Sequence, residues 1–257
     1  MLPPDGIVRT AGDGPDLLLI HGTATDASSW DVLTRLLRDR IRVTAYDRRG
    51  TANWPIADAD MPAIADHAAD AADVIASLGK GPVYVCGFSI GGGIALELIR
   101  RRPALVRGAV LFEPAVAANH QVGAVPAALL EEFDRLVSEG KGPQAAEQFH
   151  RRLLSERGWE LLPPAAKVQA RGLWKHIHRD LSATAAYRLV YSELGRVDVP
   201  VLLLRGGRSR PVFEASLRAL DAALPHSERK VIEKAGHWMA GQAWTELANA
   251  LTAFMDR

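Results

Sequence analysis

The chain is short of cysteine, of charge imbalance and of long apolar runs. Its 257 residues hold a single cysteine, Cys86, which excludes an internal disulfide and any cysteine-based zinc site. Cys86 falls in a strand-like run, where it reads as a buried hydrophobe rather than a redox group. Acidic and basic residues nearly cancel, 30 against 31, so neither a basic stripe for nucleic acid nor an acidic tail for a basic partner stands out. No stretch approaches the roughly 18 apolar residues of a membrane-spanning helix. Met1–Asp5 is unlike a signal peptide. These absences point to a reduced, cytoplasmic setting. There is no internal repeat and no low-complexity linker.

What is present is a large apolar fraction, 48% of residues, enough for a sizeable core. The length suits one α/β domain with an insertion, or at most two small domains. Gly6–Thr10 reads as an edge strand. Asp16–Ile20 is a continuous apolar run of strand length, as in a parallel sheet buried on both faces. It leads into His21-Gly22-Thr23. Trp30 to Arg38 has helical spacing, with Trp30, Leu33, Leu36 and Leu37 on one face. Ile41–Tyr46 is the next strand, followed by the loop Asp47-Arg48-Arg49-Gly50. Met61–Leu78 is an alanine-rich helix. Further strands are expected at Gly108–Phe112, Val199–Leu204 and Arg229–Glu233, with helices at Phe213–Ala223 and Trp244–Phe254.

The alternation of strand and helix implies a mostly parallel sheet with helices on both faces. It breaks after Pro114. Residues 118–194 show no strand, only amphipathic helical stretches at Ala127–Glu139, Pro143–Glu156, Ala165–His178 and Ala183–Glu193. They read as a helical insertion over the carboxyl ends of the strands, the edge where open α/β sheets bind ligands. The core is then 1–117 with 195–257.

The most informative stretch is Gly87-Phe88-Ser89-Ile90-Gly91. A β-branched run precedes it and a helix follows at once, the context in which Gly-x-Ser-x-Gly becomes a nucleophile elbow. Ser89 would stand at the apex of a strained turn, with glycine needed on both sides. The helix N-terminus would point its free N–H groups and positive dipole end at the site. Neither a P-loop nor a dinucleotide-binding glycine pattern fits the spacing.

On these residues the sequence resembles an α/β-hydrolase over nearly its whole length. The motifs are His21-Gly22 after the first long strand, the Gly87–Gly91 elbow, and Gly236-His237 after the last strand, with the insertion where that family places its lid. The resemblance implies Ser89 as nucleophile and His237 as its base. It implies the backbone N–H groups of Thr23 and Ile90 as an oxyanion hole, and a structural His21 beneath that loop. His67, His120, His150, His176, His178 and His226 are read as structural or surface residues. One departure stands out. The family's Gly-x-x-Asp is here Gly206-Gly207-Arg208-Ser209, and Ser209 cannot carry the acid's charge. Either the triad is broken or the acid comes from another strand. Glu113, ending the strand after the elbow helix, is the better candidate, as in certain haloalkane dehalogenases and zearalenone-type lactonases. Glu214 is the next, and Asp198 lies at the wrong edge.

Asp47 and Arg48 are read as structural ion-pair residues. Trp54, Trp159, Trp174 and Trp238 are possible pocket walls. The implied activity is serine hydrolysis of carboxylic esters or lactones, on a small and hydrophobic substrate, with no metal or organic cofactor. Dehalogenase and epoxide-hydrolase chemistry is disfavoured, because Ser89 cannot form their alkyl-ester intermediate. A non-hydrolytic derivative of the fold, a lyase, cyclase or ligand-binding protein, is the alternative.

Overall fold

A computed structural model describes residues 7–79, 81–118 and 125–257. The chain forms β1 (Val8–Ala11), β2 (Asp16–Ile20), α1 (Asp31–Leu37), β3 (Arg42–Tyr46), α2 (Ile64–Ser77), β4 (Val83–Phe88) and α3 (Ile90–Arg101). It continues through β5 (Val106–Phe112), a helical stretch of α4 (Ala127–Ser138), α5 (Gly142–Glu160, broken by a kink at Ser155, φ 69°), α6 (Pro164–Gly172) and α7 (Trp174–Ala186), then β6 (Val201–Gly206), α8 (Val212–Ala223), β7 (Ser227–Ile232) and α9 (Ala243–Met255). The seven strands make one sheet in the order β1-β3-β2-β4-β5-β6-β7. All neighbours are parallel except β1, which runs antiparallel to β3.

The apolar runs make this sheet because alternate residues of a strand face opposite sides. Leu18 and Ile20 join one core cluster with α2, α3 and α8, while Leu17 and Leu19 join a second with α1 and α9. Cys86 lies in the second cluster, and its burial pushes the thiol up to about 12. That is the inert hydrophobe expected of it. Trp30, just before α1, and Leu33 and Leu37 within it are buried as their spacing requires, but Leu36 is 48% exposed. The helical stripe is narrower than the apolar pattern. Met61 is also exposed, and α2 starts only at Ile64, after Pro62.

The insertion departs most from expectation. The helix expected at Ala165–His178 is two helices, α6 and α7, meeting at Leu173 just after Gly172. The stretch expected at Ala183–Glu193 is the end of α7 followed by a 3-10 turn at Tyr191–Arg196. Apolar period alone does not mark such breaks. Residues Arg179 to Leu181, between the expected helices, are instead buried within α7. Phe133, Leu136, Ala145, Ala146, Ile177 and Leu181 form a separate core for the insertion. Leu189, Leu194 and Val197 belong to the cluster that contains Leu18 and Ile20. His120 lies outside the described residues.

The turn between β4 and α3 is tightly packed. Ser89 has φ 54° and ψ −119°, a conformation that non-glycine residues rarely hold. A Cβ on Gly87 would overlap the Gly91 carbonyl, and one on Gly91 would overlap the Ile20 carbonyl. By contrast, nothing lies within 4 Å of a Cβ on Gly81. In urea unfolding, Gly91→Ala should therefore cost roughly 3 kcal/mol or more, while Gly81→Ala stays within about 0.5 kcal/mol of the parent. Equal effects would contradict the crowding.

Candidate active site

Three loops after the strands bring Ser89, Glu113 and His237 to one edge of the sheet. Ser89 is the residue before α3, so the unpaired N–H groups of that helix lie beside it. Its own N–H donates to Phe112 O at 3.0 Å, and its carbonyl accepts from Ala115 N–H at 2.8 Å. The elbow is thereby stitched to the end of β5. Glu113, the next residue after β5, also has positive φ, 43°. Its N–H donates to Leu204 O at 2.9 Å.

Glu113 is completely buried, yet both carboxylate oxygens are used. Oε1 accepts from Gly206 N–H at 2.8 Å, and Oε2 accepts from His237 Nδ1–H at 2.6 Å. An isolated buried carboxylate would be expensive, and these two donors offset that cost. The bond from Nδ1 leaves Nε2 of His237 as the nitrogen able to accept a proton. Phe213 stacks on the imidazole with centroids 4.5 Å apart, and Phe88 lies 4.9 Å away on a tilted face. The ring is clamped between a carboxylate and two aromatics. Ser209, at the position where the resemblance leads one to look for aspartate, has a buried hydroxyl with no hydrogen-bond partner.

Beneath the loop that follows β2, His21 is buried and fully engaged. Its Nδ1–H donates to Gly22 O at 2.9 Å, and Nε2 accepts from Arg48 N–H at 3.0 Å. Burial, with the nearby Arg48 cation adding to it, holds His21 well below the usual histidine range. The neutral ring can therefore serve as donor on one side and acceptor on the other. The amide N–H groups of Thr23 and Ile90 meet no protein acceptor among the described residues. Hydroxyl, imidazole, carboxylate and free amides are the parts from which acyl transfer is built.

Other expectations resolve differently. Asp47 is not an ion-pair residue: it accepts from Ala27 N–H at 2.7 Å and from Asn53 Nδ2 at 2.7 Å. A carboxylate that terminates a strand beside free amides satisfies itself with those donors. Arg48 is an ion-pair residue, and its partner is Asp180 on α7. Nη1 and Nη2 reach Oδ1 and Oδ2 at 3.0 and 2.7 Å. Burial by itself would raise the Asp180 carboxyl, but Arg48 and His176 outweigh it and hold the group well below the usual range. Trp54 is buried beneath the Arg49 guanidinium. Trp159 is buried inside the insertion, faced by Arg151, Lys167 and Arg171. Trp174 packs on Gly142. Trp174 packs against the same apolar cluster as Ala24, the residue after Thr23, and Trp238 is half-exposed next to His237. Glu214 pairs with Arg205, Arg218 and Arg229, and Asp198 with His226. Phe213 and Asp180 carry no motif that could have singled them out.

Among the described residues, no group of three metal-ligating side chains comes together and no helix is long and apolar enough to cross a membrane. Residues 15–242 match the family model for the alpha/beta hydrolase fold. A carboxylesterase of Bacillus subtilis, YbfK, is 25% identical over 233 residues, covering 89% of this chain and 76% of that protein. The pimeloyl-[acyl-carrier protein] methyl ester esterase of Aeromonas hydrophila is 26% identical over 246 residues, covering 90% and 91%. A bromoperoxidase structure from Bacillus anthracis superposes with a TM-score of 0.81 at 21% identity, covering 97% and 95%.

Burial also makes stability depend on pH. His67, buried in α2, is pulled down to about 3, first by desolvation. Its folded value lies below its unfolded value, so its contribution is intact above about pH 6.5 and fades as pH falls through that point. From pH 6.5 to 5 the loss should be about 2 kcal/mol. His67 makes no hydrogen bond through Nδ1, so His67→Leu should flatten the fall in unfolding free energy between pH 7 and 5. An unchanged slope would contradict this.

Proposed function

Because the chain belongs to the α/β-hydrolase fold family, we propose that it is a serine hydrolase that cleaves carboxylic esters through an acyl-enzyme. The observation that carries this reading is the 2.6 Å bond between His237 and buried Glu113, at the sheet edge where the elbow presents Ser89. The two esterases that match most of this chain support ester hydrolysis over other activities of the fold.

Ser89 Oγ attacks the carbonyl carbon while His237 Nε2 takes its proton. Glu113 keeps the imidazole in the tautomer that has its free lone pair on Nε2, and stabilises the imidazolium that forms. The N–H groups of Thr23 and Ile90 receive the oxyanion, aided by the positive end of α3. Collapse of the tetrahedral intermediate expels the alcohol, protonated by His237. Water, deprotonated by the same nitrogen, then attacks the acyl carbon and releases the acid. The helical insertion acts as a lid over this edge. Phe88, Phe213 and Trp238 favour an apolar substrate, and a lactone fits the same chemistry as an open ester. No cofactor takes part, and the reaction suits a reduced, cytoplasmic setting.

A fluorophosphonate should label the wild-type protein, and Ser89→Ala should lose both the label and turnover of p-nitrophenyl esters. Glu113→Gln should lower kcat by roughly 10²–10⁴, as when other triads lose their carboxylate. A probe-silent wild type would contradict the hydrolase reading. Near-native turnover in Glu113→Gln, with loss in Glu214→Gln, would reassign the acid.

A further inference from the structure

The carbonyl of Gly22 takes more donors than any loop carbonyl needs. It accepts from His21 Nδ1–H at 2.9 Å, Thr25 Oγ1–H at 3.0 Å and Arg48 Nη2–H at 3.2 Å. That carbonyl and the Thr23 N–H belong to one planar trans peptide, so they point in opposite directions. Whatever holds the one aims the other. A cationic donor on the oxygen also polarises the amide and makes its N–H a stronger donor.

Arg48 has little choice of direction. Its guanidinium is fully buried and is gripped by both oxygens of Asp180, itself buried on α7. His176 Nε2, one turn earlier on the same helix, lies 3.2 Å from Arg48 Nη2. The Arg48 backbone N–H meanwhile supports His21 from below. A single arginine thus joins the insertion to the peptide that ends in the Thr23 N–H.

We propose that Asp180 is a positioning residue for the oxyanion site, acting through Arg48 to aim and polarise the Thr23 amide. The insertion is then part of the catalytic geometry and not only a cover. This rests on the reading of Thr23 as an oxyanion donor.

The competing role is a staple that only fastens the insertion to the core, and energetics separates the two. Removing one partner of a buried ion pair strands a charge, whereas replacing both with apolar residues is often neutral for stability. The test is the double variant Arg48→Met/Asp180→Leu, beside Arg48→Lys, which keeps a cation against Asp180 but gives up the planar fork. Both are measured for Tm and KM, and for kcat per active site titrated with fluorophosphonate. The double variant should melt within about 5 °C of wild type with KM within roughly twofold, while kcat per titrated site falls about tenfold or more. Arg48→Lys should show a smaller fall of the same kind. If kcat per titrated site stays within roughly twofold of wild type in both, and any loss is confined to Tm or KM, the positioning role is overturned. A wild-type protein that takes no label would instead overturn the hydrolase reading itself.

Discussion

A buried carboxylate needs a partner for each oxygen, and the edge of this sheet is organised to supply both. Glu113 meets the Gly206 N–H on one side and the His237 ring on the other. The first contact comes from the neighbouring strand β6, and the second from the loop beyond β7. The carboxylate is therefore held by the register of three parallel strands. Its backbone sits at φ 43°, and the bond from its N–H to Leu204 O anchors that conformation. Strain of this kind costs on the order of 1–3 kcal/mol and persists only where surrounding packing over-determines it.

The elbow obeys the same logic. Ser89 and Glu113 are both non-glycine residues at positive φ, and they are linked through Phe112, whose carbonyl accepts from the Ser89 N–H. One strained turn props the other. Behind them lie strands buried on both faces and a helix, α3, whose residues from Ile90 to Ile99 are all buried. That packing holds two unfavourable backbone conformations in place. The imidazole has no such scaffold of its own, which is why the rings of Phe88 and Phe213 matter: they limit its motion where the loop cannot.

How much of this was legible in the sequence follows from the range of each interaction. Strands buried on both faces announce themselves as apolar runs, and Asp16–Ile20 matches its run to the residue. The elbow is legible because its constraint is local: glycines two residues either side of Ser89 answer to clashes within the turn and with β2. The contact of Glu113 with His237 could be reached by asking which strand end faces Ser89 once Ser209 stands where the resemblance leads one to look for aspartate. Asp180 could not. Its partner is 132 residues away, and an aspartate in an amphipathic helix reads as solvated whether it faces water or a buried guanidinium. The same blindness split the helix boundaries in the insertion, where burial of Arg179 and Asp180 reverses what their polarity suggests. The tryptophans show the converse limit: nothing in their spacing says which ring packs inward, and Trp159 does so among three cations.

The central claim is that hydroxyl, imidazole, carboxylate and two backbone amides form one acyl-transfer site. The most direct measurement is a crystal structure of the protein after reaction with a phosphonate ester, whose tetrahedral phosphorus mimics the intermediate. The account predicts phosphorus bonded to Ser89 Oγ, its oxygen about 3 Å from the amide nitrogens of Thr23 and Ile90, and the His237–Glu113 contact intact. Phosphorus on another side chain, or an oxygen turned away from both amides, would contradict it.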